Sequence, residues 1–307
     1  TSVNEVKLRV IVLTFNRPQS LQQTLESLDC LQLDGDSAVL EIFIDRNKKG
    51  ELHKETVNMA ESFVWNRGAV QVHKQEKHVG IYSQWIDSWQ PPEESDSGEL
   101  AIIIEDDINI SPFAYRWLRQ THKRFGAKPF TSGFCLQDEN ISVVKGWKKM
   151  RQVNAVNKDL LRRYPAYYYR VAGSWAFAPH PKRWKEFQQW FHNQTEVTHP
   201  YVEAAALNTG WYKRFEKKHR ENSMWTMWFI YFTDKHNLSA LISNVPQYTG
   251  KPKAKLSCNR REPGLHFHAR KKGVNCTEVL LDAWSDEYVA EGFLPVIGYA
   301  GNKESIL

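Results

Sequence analysis

Three consecutive carboxylates, Glu105, Asp106 and Asp107, follow directly after the apolar run "LAIII". Adjacent negative charges repel one another, so something must neutralise them. A hard divalent cation such as Mg²⁺ or Mn²⁺ would do so, because these ions take oxygen ligands and are commonly held by one or two carboxylates together with substrate phosphates. The alternatives are that the acids cap the helix that follows or pair with arginines.

The backbone conformation decides which of these acids could act together. In an extended segment successive side chains point to opposite faces, so we expect Glu105 and Asp107 on one side and Asp106 on the other. One carboxylate would then meet a ligand beyond the strand end, while another bonds inward to a ribose hydroxyl or a backbone amide.

The elements that must position these acids alternate along the first part of the chain. Apolar, β-branched runs predict strands at residues 6–15, 38–45, 69–75 and 100–106, and helical spacing predicts helices at 16–31, 48–65 and 81–89. This order predicts an α/β fold with a doubly wound sheet, and such sheets bind ligands at the carboxyl ends of their strands. Arg17, Asp45 and the three acids all lie at those ends.

The second half of the chain has a weaker pattern. We predict a helix at 112–125, a hairpin or loop at 132–146, one buried strand at 167–179, aromatic-rich helices at 181–193 and 221–237, and a last strand at 238–246. The basic stretch 247–272 is expected to be a mobile loop or lid. Since no linker divides the chain, we predict one domain over residues 1–307, with a nucleotide-sugar-binding half of about 1–115 and an acceptor-binding half of about 116–307.

Charge and hydropathy argue against nucleic-acid binding and against a membrane-spanning segment within the given sequence. The net charge is +6, but the lysines and arginines are scattered over both halves rather than gathered in a stripe, so nucleic acid is not an expected partner. The uncharged apolar runs are far shorter than the roughly 18 to 20 residues of a membrane span, although a membrane anchor outside the given chain is compatible with the sequence.

The cysteines and sequons favour an oxidising compartment. The four cysteines have no zinc-binding spacing, but Cys258 and Cys276 bracket a loop and could form a disulfide. Asn-X-Ser/Thr patterns occur at Asn140, Asn193, Asn237 and Asn275. We therefore expect a glycoprotein of the ER or Golgi lumen.

The common nucleotide and hydrolase motifs are absent, including a phosphate loop, GxGxxG after the first strand, GxSxG and HExxH. The motifs that are present resemble those of the GT-A glycosyltransferases. "VIVLTFNRPQSLQQTLESL" is similar to their opening strand and helix, "IFID" to their second strand, and "IIIEDD" to their DXD metal motif. Together with "VAGSWAFAPHPKRWKEF", these segments most resemble N-acetylglucosaminyltransferase I and its relatives, over roughly residues 7–190.

The resemblance implies a mixed, mainly parallel Rossmann-like sheet and a role for each matching residue. Asp107 would bind the metal, Arg17 the nucleotide and Asp45 the uracil, while His78 would approach the diphosphate or ribose and Asp106 the ribose. The donor site as a whole would comprise Thr14, Arg17, Asp45, His78, Gly80, Glu105, Asp106 and Arg270.

The catalytic base is the point where the sequence departs from that family. Inverting members need a carboxylate within reach of the acceptor hydroxyl, but "SMWTMWF" has Thr226 and Met227 where the acid is expected. Glu221, predicted on the same helix, is the first substitute. Other candidates are Asp138, Glu139 and Glu203.

The C-terminal part supplies further candidates. His266 and His268 alternate in "HFH" and could share one ion, with Arg270 or Lys271 on phosphate. Trp147 is a candidate acceptor contact, whereas Trp225 and Trp228 are expected to fill the core.

These features predict a metal-dependent glycosyltransferase. It would use Mn²⁺ or Mg²⁺ and a UDP-sugar donor, and would transfer a hexosyl or N-acetylhexosaminyl unit to a glycan or glycoconjugate hydroxyl with inversion. The alternative is a catalytically silent or retaining carbohydrate-binding protein of the same fold.

Overall fold

The computed structural model describes residues 6–93, 98–138, 141–143, 150–152, 157–251, 253–262, 273–299 and 303–306. Several predicted site residues lie outside these ranges: Glu139, Trp147, His266, His268, Arg270 and Lys271.

A ten-stranded sheet forms the centre of the molecule, and two strand pairs lie outside it. The strands are β1 (Leu8–Thr14), β2 (Ala38–Ile44), β3 (Ala69–Lys74), β4 (Leu100–Glu105), β5 (Ile108–Ile110), β6 (Thr131–Cys135), β7 (Ile141–Val143), β8 (Met150–Gln152), β9 (Ala166–Tyr169), β10 (Phe177–Pro179), β11 (Ser239–Ser243), β12 (Ser257–Asn259), β13 (Pro295–Ile297) and β14 (Lys303–Ile306). Their order in the main sheet is β14-β13-β9-β11-β6-β10-β4-β1-β2-β3, while β12 pairs with β5 and β7 with β8.

Helices flank this sheet. They are α1 (Pro18–Asp29), α2 (Lys54–Ser62), α3 (Gly80–Ile86), α4 (Ala114–Phe125), α5 (Lys158–Leu161), α6 (Pro181–Asn193), α7 (Ala206–Glu216), α8 (Thr226–Lys235) and α9 (Val245–Thr249). A helix of the length and apolarity needed to cross a membrane does not occur within the described ranges.

The sheet is mixed and mainly parallel, as predicted. Five of the nine neighbour pairings among its described strands are parallel, and these include all three pairings among β3, β2, β1 and β4. Because β1, β2 and β4 run parallel, Thr14, Ile44 and Glu105 end at the same edge of the sheet. Of the predicted site residues, Thr14, Arg17, Asp45 and the carboxylates 105–107 lie at or just beyond this edge.

Both faces of the sheet are buried, which explains the nearly continuous apolar strands. Alternate residues of β1 belong to different core clusters: Val10 and Val12 pack with the leucines of α1, whereas Ile11 and Leu13 pack with Trp85 and the aromatic residues of α6 and α8. A strand covered on both faces needs apolar side chains at both positions of its two-residue period.

Several predictions for the second half were wrong. Within the predicted hairpin or loop at 132–146, residues 132–135 instead belong to β6, a buried strand of the main sheet. The predicted strand at 167–179 is two strands, β9 and β10, which do not pair with each other. Glu221 is not on the helix that carries Thr226, because residues Glu221–Ser223 form a separate 3-10 turn before α8 begins. The helix α7 was not predicted.

The predicted disulfide between Cys258 and Cys276 is present, with 5.6 Å between the Cα atoms. It joins β12 to a 3-10 turn at Cys276–Glu278. Because β12 pairs with β5, the bond ties this C-terminal segment to the strand that follows the carboxylate triplet.

Candidate active site

A turn between β4 and β5 carries the carboxylates. β4 ends at Glu105, and Asp106 and Asp107 form the turn. Thr14, the last residue of β1, donates a hydrogen bond of 2.6 Å from Oγ1 to Asp106 Oδ2. Arg17, just before α1, forms an ion pair with Asp106 Oδ1 and reaches Asp107 Oδ2 at 3.4 Å. The structure therefore brings Thr14, Arg17, Asp106 and Asp107 together.

The predicted alternation of the three acids was wrong. Asp106 and Asp107 share Arg17, whereas Glu105 accepts a hydrogen bond of 3.0 Å from Trp85 Nε1 of α3. The alternation of side chains applies only within a strand, and this strand ends one residue before Asp106.

Arg260 is a buried component of this site that the sequence did not indicate. Its Nη2 donates to the backbone carbonyl of Asp106 at 2.6 Å, and the same carbonyl accepts hydrogen bonds from Ser20 Oγ at 2.7 Å and Thr24 Oγ1 at 2.8 Å. Arg260 is 6% exposed. Its backbone N–H also donates to the carbonyl of Asp107 at 3.0 Å, so both peptide groups of the turn are fixed.

Burial shifts the protonation of the three acids. It is the largest cause for each: the pKa of Glu105 rises to about 7 and that of Asp106 to about 6, and the pKa of Asp107 also lies above its ordinary value. Neighbouring carboxylates add repulsion, while Arg17 opposes the rise. A cation bound here would favour the ionised forms.

One oxygen of the turn fits the chemistry of a metal ligand. Asp107 Oδ1 is buried and has no hydrogen-bond partner in the described structure. An ionised carboxylate oxygen of this kind is costly to bury and suits a hard cation. In the described ranges, which exclude His266 and His268, no three His, Cys, Asp or Glu side chains are grouped so as to hold an ion. A cation on Asp107 would therefore need oxygens from a substrate, water or residues outside those ranges.

Asp45, just after β2, organises a second part of the site. Its carboxylate accepts hydrogen bonds from the backbone N–H groups of Arg46 at 2.8 Å, Val79 at 2.9 Å and Gly80 at 3.0 Å. His78 Nδ1 lies 3.0 Å from Asp45 Oδ2. The structure thus groups Asp45, His78 and Gly80, and Asp45 holds the start of α3. The contact of Asp45 with uracil stays a prediction.

The helix α3 connects the carboxylate turn to residues of the second half of the chain. Trp85 of α3 bonds to Glu105 and stacks on Trp225, with 4.5 Å between ring centroids. Trp225 is the residue before Thr226, and it is buried as predicted. Tyr82 of α3 donates a hydrogen bond of 2.8 Å to the carbonyl of Glu221.

The candidate bases have different surroundings. Glu221 Oε2 is buried without a hydrogen-bond partner among the described residues, and Glu221 lines a cavity. Asp138 lies beyond β6 beside a pocket of about 200 Å³, with Lys255 Nζ at 3.2 Å from its carboxylate. Glu203 is an exposed loop residue. The structure does not gather these three acids at one place.

Comparison with known proteins finds distant structural similarity. No protein-family model matches the sequence, and no curated protein matches it significantly. A crystal structure of S. aureus TarS 1-349 aligns with a TM-score of 0.42 and 11% identity, covering 78% of this chain and 61% of that chain. The same protein in complex with UDP-GlcNAc aligns with a TM-score of 0.41 and 12% identity, covering 78% and 55%.

A longer TarS structure aligns with a TM-score of 0.29 and 15% identity, covering 46% of this chain and 22% of that chain. The alignments thus span less than two thirds of each matched chain. Similarity at this level is too remote to assign a function to the present chain.

Proposed function

We propose that this protein is a GT-A glycosyltransferase that transfers a sugar from a UDP-sugar to a hydroxyl of a glycan or glycoconjugate. The observation that carries this proposal is the buried turn Asp106–Asp107 at the carboxyl ends of the parallel strands β1, β2 and β4. Arg17 contacts both acids, and Asp107 Oδ1 is unpartnered among the described residues. In an open α/β sheet, this edge is where ligands bind.

In this proposal, each residue around the turn contacts a different part of the donor. Asp107 would bind Mn²⁺ or Mg²⁺. The bound cation would neutralise the charge that develops on the departing nucleoside diphosphate. The side chain of Arg17 is 30% exposed, so its guanidinium is accessible to phosphate oxygens while it remains beside the acids. Asp106, bonded to Thr14, faces the ribose in this proposal, and Asp45 with His78 borders the nucleobase side.

Glu221 is our proposed general base for an inverting transfer. It replaces the acid that is missing at Thr226, and Tyr82 and Trp225 connect its surroundings to the carboxylate turn through α3. Its Oε2 has no hydrogen-bond partner among the described residues, and in this proposal it accepts the proton of the attacking hydroxyl. We also propose that the protein belongs to the N-acetylglucosaminyltransferase I-like group.

A location in the ER or Golgi lumen is also proposed. It is supported by the bond between Cys258 and Cys276, since disulfides persist in oxidising compartments. Transfer of an N-acetylhexosaminyl or hexosyl unit to a glycan is the activity that such a location would allow.

Turnover of nucleotide sugars tests the proposal. The purified protein should release UDP slowly from at least one of UDP-GlcNAc, UDP-Gal and UDP-Glc with water as acceptor, and Asp107→Asn should lower this rate about 100-fold or more. Asp282→Asn is a matched control, because Asp282 is an exposed aspartate paired with Lys253. A protein that releases no UDP from any donor, but binds UDP, would support the silent carbohydrate-binding alternative.

A further inference from the structure

A second cavity, separate from the carboxylate turn, opens beside α3. Its volume is about 360 Å³, and it lies between Tyr82 of α3, the end of α7, the start of α8 and the 3-10 turn at Glu221–Ser223. The lining residues are Tyr82, Thr198, His199, Tyr212, Glu216, Glu221, Asn222 and Trp228. A cavity of this size accommodates a sugar unit.

The polar edges of aromatic residues converge on this cavity. The Tyr82 hydroxyl donates to the carbonyl of Glu221 at 2.8 Å and accepts a hydrogen bond of 3.1 Å from Trp228 Nε1. Tyr212 also lines the cavity and is 2% exposed. The Trp228 N–H and the Tyr82 O–H are thus bonded within the protein, and these aromatic residues give the cavity a fixed, largely apolar wall.

The charge of the lining disfavours an anionic ligand. Two carboxylates, Glu216 and Glu221, face the cavity, and its described lining contains no lysine or arginine. Glu216 already accepts a hydrogen bond from Tyr201 and lies 2.7 Å from His199 Nδ1. Glu221 Oε2 differs, because it is buried and finds no partner among the described residues. It is the acceptor of the lining that the described protein leaves without a hydrogen bond, and burying such an oxygen is costly.

The lining of this cavity fits a hydroxyl-rich ligand better than it fits an organic cation. Cation binding by aromatic residues uses the faces of the rings. The Trp228 ring packs against Trp190 and Phe191, with centroid distances of 6.2 and 5.4 Å, and Tyr212 packs against Tyr201 at 6.4 Å. An apolar aromatic wall beside one unpartnered carboxylate oxygen instead suits the alternating apolar and hydroxyl surface of a pyranose.

We infer that this cavity binds a neutral sugar unit of the acceptor, with Glu221 accepting a hydroxyl and Tyr82, Tyr212 and Trp228 forming the wall. The identification of that sugar as part of an acceptor rests on the proposed function. The position supports it, since Tyr82 is two residues after Gly80, whose N–H bonds to Asp45 of the donor side. The substrate class is thus an uncharged saccharide, not a phosphorylated or sialylated terminus.

Saturation-transfer NMR without nucleotide tests the cavity directly. The probes are the methyl glycosides of β-glucose, β-galactose, β-N-acetylglucosamine and α-mannose at millimolar concentration, with tetramethylammonium as the cationic probe. At least one glycoside should bind, and Glu221→Gln and Tyr212→Phe should each weaken that binding by roughly fivefold to tenfold. Phe293→Ala, at an aromatic residue that is 72% exposed, should bind like the wild type.

Three results would overturn the inference: no binding of any glycoside, binding of tetramethylammonium alone, or glycoside binding that is unchanged in both cavity variants. UDP calorimetry on the same proteins separates this question from the donor site. UDP binding that persists while no glycoside binds refutes the sugar cavity alone. Glycoside binding without UDP binding refutes the proposed function and leaves the sugar cavity standing.

Discussion

Arg260 is the residue on which the geometry of the carboxylate turn depends most. Its guanidinium contacts Ser20, Thr24, Asn109, Glu262 and the carbonyl of Asp106. Burying a guanidinium has a large desolvation cost, and this cost is offset only while its hydrogen-bonding partners are present. The turn is therefore held by a cation from a distant part of the chain, and not only by the Arg17 that precedes α1.

Replacing Arg260 should destabilise the protein strongly. We expect Arg260→Met to lower the free energy of unfolding by about 3 kcal/mol. The variant loses the hydrogen bonds of the guanidinium to Glu262, Asn109 and the Ser20 carbonyl, and it removes one of the three donors to the Asp106 carbonyl. Urea denaturation measures this change. Arg67→Met is the matched control, since the side chain of the exposed Arg67 donates to the Asp29 carbonyl, and it should cost less than about 1 kcal/mol. Equal losses in the two variants would contradict the role of Arg260.

His122 should make stability depend on acid pH. It packs against Phe134 and His180, with centroid distances of 5.4 and 5.9 Å, and burial lowers its pKa from 6.5 to about 4, with His180 adding to the effect. Because the folded-state pKa is depressed, this histidine is neutral in the folded protein. Its contribution to stability is full above pH 6.5 and is lost as the pH falls toward 4.

The expected loss over that pH range is on the order of 3 kcal/mol. Free energies of unfolding measured at intervals of pH should fall more steeply in the wild type than in His122→Phe, which keeps an aromatic ring and cannot be protonated. An identical slope in the two proteins would show that His122 is not the group responsible.

At the residue scale, the sequence predicted the components that are close together along the chain or lie at strand ends. The three acids and their neighbours at the strand ends were predicted as site residues, and the structure brings them into two adjoining groups. Arg260 was missed because its partner Asp106 is 154 positions away and the basic segment around it was interpreted as a mobile loop. No local pattern of residues indicates a contact of that kind.

Among the elements, β6 is the strand that could least be predicted without knowing the tertiary contacts. Its sequence "TSGFC" has small and polar residues where a buried strand usually has β-branched ones. The reason is the close packing of β10, because a Cβ on Gly133 would lie 2.6 Å from the Phe177 ring and 2.9 Å from the Ala178 carbonyl. By contrast, β1, β2 and β4 are mostly apolar on both faces, and these three strands and β3 were located to within about two residues.

Gly133→Ala should therefore destabilise the sheet by roughly 1–3 kcal/mol, through overpacking against β10. Gly273→Ala provides the comparison, because the nearest atom to a Cβ there is the Arg260 carbonyl at an ordinary 3.5 Å. Thermal or urea unfolding of the two variants measures the difference. Equal stability of the two variants would contradict the close packing of β6 against β10.

At the scale of the whole molecule, one sheet contains strands from both predicted halves. The proposed donor-site residues lie at the ends of β1, β2 and β4, and the cavity proposed to bind a sugar is lined by residues of α3, α7, α8 and the turn before α8. α3 lies between the two, since Gly80 bonds to Asp45, Tyr82 to Glu221 and Trp85 to Glu105. This arrangement would place a bound donor and a bound acceptor on either side of one short helix.

Calorimetry of UDP binding with and without Mn²⁺, on the wild type and on Asp107→Asn, tests the central claim most directly. We predict that Mn²⁺ raises the affinity of the wild type for UDP by about tenfold or more, and that Asp107→Asn loses this gain. UDP binding that is absent, that is indifferent to Mn²⁺, or that responds to Mn²⁺ equally in Asp107→Asn would contradict the assignment of the carboxylate turn as a metal-dependent donor site.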